Sequence, residues 1–200
     1  TMQRVMRYNE RDNLALKNDI AGNETRVESY GYDKAGQRKT LTDAKGKTRT
    51  YEYNAYGQVT TAKDPLGNTL RMVHDTRGNV IEVIDPNGAR TRMGYDRRSL
   101  LVSSSDPLGN TTRYEWNSNG WLSAILQANG QKVTYGYDTV GRVTQHQEYD
   151  AQGALQKTGT YTYDEAGNLL TWNDGTFSAL RSYDDADQLT KETVTYGTGQ

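Results

Sequence analysis

The sequence predicts an all-β fold in which tandem antiparallel β-hairpin repeats form one long curled sheet. Three observations predict it: a period of 21 residues, two turn signals in every period, and short strand-like runs between the turns. No window longer than two turns keeps helical periodicity, and the glycine spacing would break a helix. Only 34% of the 200 residues are hydrophobic, which is too little for a thick apolar core.

The first turn signal is a Tyr-Asp or Tyr-Asn pair with glycine three residues later. Asp or Asn at the first position of a type I turn caps its own backbone, and glycine at the fourth accepts the positive φ that begins a bulge. His74 replaces the tyrosine once, Ser99 replaces the glycine, and Asp12 and Asp187 replace it near the ends. The predicted structural motif consists of Tyr32, Asp33, Gly36, Tyr53, Asn54, Gly57, Asp75, Gly78, Tyr95, Asp96, Asn117, Gly120, Tyr137, Asp138, Gly141, Tyr163, Asp164 and Gly167.

A second turn signal lies ten residues downstream of the first. The chain's 3 prolines, Pro65, Pro86 and Pro107, each follow the Asp of this signal, where a φ near −65° is favourable and no N–H is required. This second series consists of Asp43, Asp64, Asp85 and Asp106 with Gly46, Gly67, Gly88, Gly109 and Gly130.

The runs between turns, such as 47–53 and 58–63, are rich in Thr, Tyr and Val and have the length of ordinary strands. Roughly eighteen such strands exceed what an open twisted sheet holds without curling. Alternation places Tyr51 and Tyr53 on one face, with Thr50 and Glu52 on the other. Which face is inside stays open.

The chain reads as a single repeat array over residues 1–200, cut from a longer protein. Units are regular over about 30–146 and irregular over 8–29 and 147–190. The irregular unit with extra residues in 145–160 predicts longer strands or a bulge.

Composition argues against several classes of function. The 24 basic and 25 acidic residues leave a net charge of −1, so non-specific binding to nucleic acid or an anionic membrane is not expected. The absence of cysteine excludes disulfides and thiolate metal sites. No apolar run is long enough for a transmembrane helix, and the first residues lack the apolar stretch of a signal peptide.

We expect no catalytic, metal-binding or cofactor-binding residue. The 2 histidines, His74 and His146, have no second histidine, cysteine or unique serine converging on them in the sequence. One Asp per turn is also too sparse for calcium.

The aromatic residues leave two interpretations open. Cross-strand packing is favoured, but aromatic faces can also stack on sugars or an unfolded polypeptide, and Trp116, Trp121 and Trp172 are the candidates for such a ligand. Similarly, Arg71, Arg92 and Arg113 share one repeat position and form either a basic row or, as we favour, a solvated face.

The motifs Tyr30-Gly-Tyr-Asp-Lys-Ala-Gly36, Tyr135-Gly-Tyr-Asp-Thr-Val-Gly-Arg-Val143 and Asp64-Pro-Leu-Gly-Asn68 resemble the YD (Rhs) repeats of bacterial Rhs polymorphic toxins, toxin-complex subunits and teneurins. The resemblance extends from about Tyr8 to Leu189. It implies a segment of a hollow β-shell that encloses the C-terminal toxin domain of its own protein. The partners it implies are neighbouring repeats and that toxin domain, in a parent protein that is secreted or delivered to a target cell, often by type VI secretion.

The family's aspartyl self-cleavage region has no counterpart here, because Asp64-Pro65 and its two relatives are repeat turns. The sequence thus favours a non-enzymatic scaffold that encloses a toxin used in interbacterial competition. The alternative is a surface module that binds carbohydrate or protein through its aromatic rows.

Overall fold

The computed structural model describes residues 2–21 and 24–197, and these residues form eighteen β-strands and no helix. No helix in this part of the chain is therefore long and apolar enough to cross a membrane. The predicted all-β fold class is confirmed.

The chain divides into two compact units, Thr1–Met93 and Gly94–Gln200. The first unit contains β1 (Met2–Tyr8), β2 (Leu14–Ala21), β3 (Glu24–Tyr32), β4 (Arg38–Thr42), β5 (Thr48–Tyr53), β6 (Val59–Lys63), β7 (Thr69–His74) and β8 (Val80–Ile84). Strand β9 (Arg90–Tyr95) includes the boundary. The second unit contains β10 (Leu101–Ser105), β11 (Thr111–Trp116), β12 (Leu122–Leu126), β13 (Lys132–Tyr137), β14 (Val143–Tyr149), β15 (Leu155–Tyr163), β16 (Leu169–Asn173), β17 (Phe177–Tyr183) and β18 (Leu189–Tyr196).

Within each unit, every strand pairs antiparallel with the next strand in the chain. In the β5–β6 hairpin, Tyr51 pairs with Ala62 and Tyr53 with Val59, with a register shift between Glu52 and Tyr53. This one-residue bulge follows from a type I turn closed by a residue of positive φ. The same shift recurs where β7 meets β8 and where β13 meets β14.

Register gives the sheet of each unit two chemically different faces. We call the face that carries Tyr51 and Tyr53 the aromatic face, and the face that carries Thr50 and Glu52 the polar face. On β5 the two tyrosines are half-buried, whereas Thr50 and Glu52 are exposed. The aromatic face is therefore the better-packed one in this strand.

The sheet has almost no interior. Among the described residues, the only buried apolar side chains are Ala124, 2% exposed, and Ala179, 4% exposed. Nearly all other strand residues are half-buried or exposed, as in a single layer. Stability in such a layer depends on hydrogen bonds and cross-strand contacts more than on a core.

The irregular unit has longer strands, as predicted. Strand β14 has 7 residues and β15 has 9, whereas β12 and β13 in the neighbouring regular unit have 5 and 6. The turn between β14 and β15 still has the ordinary geometry, since Asp150 Oδ1 accepts hydrogen bonds from the backbone N–H groups of Gln152 and Ala154. The additional residues therefore lengthen the hairpin without changing its turn.

Candidate functional site: the repeat turns and the aromatic face

Most turns of the repeat are closed by the aspartate or asparagine at which they begin. The Oδ1 atom of Asp33 accepts hydrogen bonds from the N–H groups of Ala35 and Gln37, both at 2.9 Å. The N–H of Gly36 donates to the carbonyl of Asp33 at 3.1 Å, and Gly36 has a φ of 80°. The side chain thus satisfies backbone donors that the tight turn leaves without a strand partner.

Three turns place a residue other than glycine at the position of positive φ. Asp12, Ser99 and Asp187 have φ values of 58°, 62° and 59°. A left-handed conformation costs a non-glycine residue about 1–2 kcal/mol, although Asp tolerates it better than most residues. These three turns therefore have the same backbone conformation as the glycine turns, at a small cost in backbone strain.

Two of the three proline turns, those that begin at Asp64 and Asp106, carry an additional side-chain hydrogen bond. In the turn that begins at Asp64, the Nδ2 group of Asn68 donates to Asp64 Oδ2 at 2.7 Å. This bond, together with those from backbone N–H groups, holds the pKa of Asp64 below its usual range. Asp106 has the same partner type in Asn110 and the same direction of pKa shift.

The turn at 127–130 has no aspartate. Gln127 replaces it, and Asn129 Oδ1 instead accepts the N–H of Gln131 at 3.0 Å. Gly130 keeps a φ of 87°. The backbone path is thus preserved by a different capping residue.

The glycine of some first-series turns has a second role that sequence reasoning missed, because the side chain just after one turn lies over the glycine of the next turn in the series. A Cβ atom added at Gly57 would lie 3.0 Å from Gln37 Nε2, and one added at Gly141 would lie 2.8 Å from Trp121 Cζ2. A Cβ atom at Gly78 would meet the Gln58 side chain in the same way. These contacts join consecutive repeats within each unit.

In six of the described turns of the first series, the aromatic residue before the turn bonds to the preceding hairpin. The hydroxyl of Tyr53 donates to the carbonyl of Arg38 at 2.8 Å. The pairing of β4 with β5 ends at Thr40 and Thr50. The Tyr53 hydroxyl therefore donates to a carbonyl of β4 that lies beyond the last residue paired with β5. The same bond joins Tyr32 to Leu14 (2.9 Å), Trp116 Nε1 to Leu101 (2.8 Å), Tyr137 to Leu122 (2.7 Å), Tyr163 to Val143 (2.8 Å) and Tyr183 to Leu169 (3.0 Å).

These turns and hydrogen bonds recur with the sequence period, and a family model matches the same region. The RHS Repeat model matches residues 32–69, 74–111, 95–130 and 116–148, which together exceed half of the 200 residues. The chain belongs to the RHS Repeat family. The predicted membership is therefore confirmed. The Rhs repeat is a family of structural repeats that form a shell fold.

Solved structures share the fold. A structure described as TcdB2-TccC3-Cdc42 has a TM-score of 0.77 and 17% sequence identity over 98% of this chain. A structure of TcdB2-TccC3 without its hypervariable C-terminal region has a TM-score of 0.76 and 18% identity over 96% of this chain. This chain spans 12% of the length of each of those chains. No curated protein matches it.

The structure places the three tryptophans of this Rhs segment in contacts within the sheet. Trp116 donates its indole N–H to a backbone carbonyl. Trp121 packs against Tyr137, with ring centroids 5.3 Å apart. Trp172 is the cross-strand partner of both Tyr161 and Ala179.

The two histidines occupy different positions in the Rhs repeats. His74 stands where other repeats have the bonding tyrosine, and its Nδ1 atom is buried without a hydrogen-bond partner. His146 lies over Gly159, and its Nδ1 atom is 3.0 Å from the Tyr161 hydroxyl. Its Nε2 atom is 3.4 Å from Glu148 Oε1. Within the described residues, no group of three or more His, Asp or Glu side chains could hold a metal ion.

Proposed function

We propose that this chain is a non-enzymatic wall segment of a shell that encloses a toxin domain of the same protein. The observation that carries the proposal is the single-layer sheet of Rhs repeats, whose fold matches the TcdB2-TccC3 structures over nearly the whole chain. A layer with two buried apolar side chains among its described residues is suited to separating two spaces. It offers little of the enclosed apolar pocket that small-molecule sites usually have.

The wall is part of an exported protein used against competing bacteria, and type VI secretion is the export route that we favour. Its partners are the neighbouring repeats and the toxin domain of the same protein. The hydrogen bonds between consecutive hairpins support this function, because they join repeats into a continuous layer without a core.

Limited proteolysis of the complete parent protein tests the enclosure. We expect the toxin domain to resist protease while the shell is intact, and to be degraded when the same domain is produced alone. Equal rates of degradation in the two forms would contradict enclosure.

The contacts of the tryptophans favour a wall over a carbohydrate-binding module, since Trp116 and Trp121 are engaged by neighbouring strands. A glycan array probed with the chain separates the two functions. The wall predicts no saturable binding, whereas saturable binding to one glycan class would support the module.

A further inference from the structure

The polar face of the first unit carries a cluster of cations on β7 and β9, the two strands that flank β8. Arg71 on β7 pairs with Ile84 on β8, and Ile84 pairs with Arg90 on β9. In the next row, Val73, Glu82 and Arg92 are paired in the same way. Cross-strand partners lie about 5 Å apart, so the three arginines surround Ile84 and Val73.

Lys63 extends this cluster on β6. It pairs with Thr69, and Thr61 on the same strand pairs with Arg71. We call Lys63, Arg71, Arg90 and Arg92 the basic patch. All four residues are exposed.

One carboxylate holds two members of the basic patch in place. Glu82 Oε2 lies 2.8 Å from Arg90 Nη1, and Glu82 Oε1 lies 3.1 Å from Arg92 Nε. The Glu82 side chain is 18% exposed, whereas those of Arg90 and Arg92 are 49% and 64% exposed. Each guanidinium has five N–H donors, so most of the donors of both remain directed to solvent.

Among the described residues, the other acidic groups nearby form no ion pair with the basic patch. The carboxylates of Asp64 and Asp85 accept hydrogen bonds from backbone N–H groups of their own turns. Glu52 pairs with Thr61, so it lies on the strand next to Lys63 and two strands away from Arg71. Among the ion pairs of the described residues, none includes Lys63 or Arg71. Glu82 is therefore the one carboxylate among the described residues that forms ion pairs with any of the four cations of the patch.

From this arrangement we infer that the basic patch is a docking surface for an extended acidic polypeptide segment. Arginine presents a planar fork that binds carboxylates through paired hydrogen bonds, and Arg clusters are a recurring means of recognising acidic motifs. The apolar side chains Val73, 42% exposed, and Ile84, half-buried, form a floor between the cations. A segment that alternates acidic and apolar side chains is complementary to both.

The same surface is poorly suited to nucleic acid. Its rows on β7, β8 and β9 contain no aromatic side chain on which a base could stack. The docking surface does not depend on the proposed enclosure of a toxin domain, because all four of its cations lie in the first unit.

Fluorescence anisotropy with a short labelled peptide of alternating glutamate and valine tests the docking surface on the 200-residue chain. We expect saturable binding that weakens with added salt. The variant carrying both Arg71→Glu and Arg92→Glu should raise the Kd about tenfold or more. The control Arg49→Glu removes one exposed cation from the aromatic face of the same unit and should leave the Kd unchanged.

Each variant must have the same thermal unfolding midpoint as the original chain, which shows that it is folded. If the double variant fails to fold, the single variant Arg71→Glu is measured in its place. Absence of binding, or an equal loss of affinity in Arg49→Glu, would overturn the proposal. Tighter binding of a labelled single-stranded oligonucleotide than of the peptide would assign the surface to nucleic acid instead. A peptide with lysine in place of glutamate should not bind.

Discussion

At the scale of single residues, glycine in the first turn series has two separable roles. It supplies a positive φ, and it makes room for the side chain that reaches over from the preceding repeat. Gly141 has both roles, since its φ is 90° and Trp121 lies over it. Gly120 has only the first, with a φ of 81° and no atom within 4 Å of an added Cβ.

Alanine substitution should separate these roles. Gly120→Ala should cost about 1 kcal/mol of unfolding free energy, because only the left-handed backbone is penalised. Gly141→Ala should cost about 2–4 kcal/mol, because the added methyl group must also displace the Trp121 ring. Urea unfolding followed by circular dichroism measures both values. Equal costs would show that Trp121 moves aside freely.

At the scale of secondary-structure elements, six aromatic residues of the described turns each join one hairpin to the hairpin before it. Tyr137 is the clearest case, because its hydroxyl donates to Leu122 at 2.7 Å and its burial raises the pKa of the phenol. When such a donor is removed, the carbonyl is left without a partner away from water. The resulting loss of unfolding free energy is larger than the net contribution of the hydrogen bond itself.

Removal of this one hydroxyl gives a direct test. Tyr137→Phe should lower the unfolding free energy by about 1–2 kcal/mol while leaving the strand content unchanged. The control is Tyr56→Phe, because Tyr56 is 88% exposed at a turn tip and should change stability little. The two variants are compared by the midpoint of urea unfolding, and similar midpoints would contradict a structural role for the bond.

The turn carboxylates give the same elements a dependence on pH. Hydrogen bonds from Asn68 and Asn110 lower the pKa values of Asp64 and Asp106 in the folded chain. A lowered folded pKa favours the ionised form, so this stabilisation is fully present above the ordinary value of 3.8 and is lost as pH falls through the lower folded pKa. The Lys157 ammonium, with backbone N–H groups, lowers the pKa of Asp174 to about 2.

We therefore expect the melting temperature to be level above about pH 5 and to fall steeply below about pH 4. Replacing both carboxylates, by Asp64→Asn and Asp106→Asn, should make that acid decline shallower. Asparagine preserves the turn, since Asn54 Oδ1 already accepts the N–H groups of Tyr56 and Gln58. An unchanged acid decline in the double variant would rule out these two carboxylates as contributors.

At the scale of the whole molecule, a single layer has no shared core that could make all strands equally stable. Within the second unit, Ala124 on β12 is 2% exposed, whereas every residue of β18 is exposed. Local opening requires less free energy where fewer contacts are lost. Stability should therefore vary from strand to strand within the unit.

Hydrogen exchange measured by mass spectrometry checks this variation. Amides of β18 should exchange at least about tenfold faster than those of β12 and β13. Comparison within one sample controls for pH and temperature. Uniform protection across these strands would indicate a cooperative unit rather than a layer of locally stabilised hairpins.

The fold class, the approximate strand boundaries between turns and the turn type could all be predicted from the repeat pattern. These depend on interactions within four or five residues, such as the cap of Asp33 on Ala35 and Gln37. The unit with longer strands was also predicted, because the extra residues interrupt an otherwise constant spacing. Features that depend on local interactions and recur with a fixed period can be predicted from the sequence.

Contacts between residues of different hairpins could not be predicted from the repeat pattern. The bond from Tyr53 to Arg38, the position of Trp121 over Gly141, and the sharing of Glu82 by two arginines all join residues through strand register. A shift of one residue in register would move each side chain to the opposite face. The better packing of the aromatic face and the basic patch on the polar face follow from that register, which the sequence period alone does not contain.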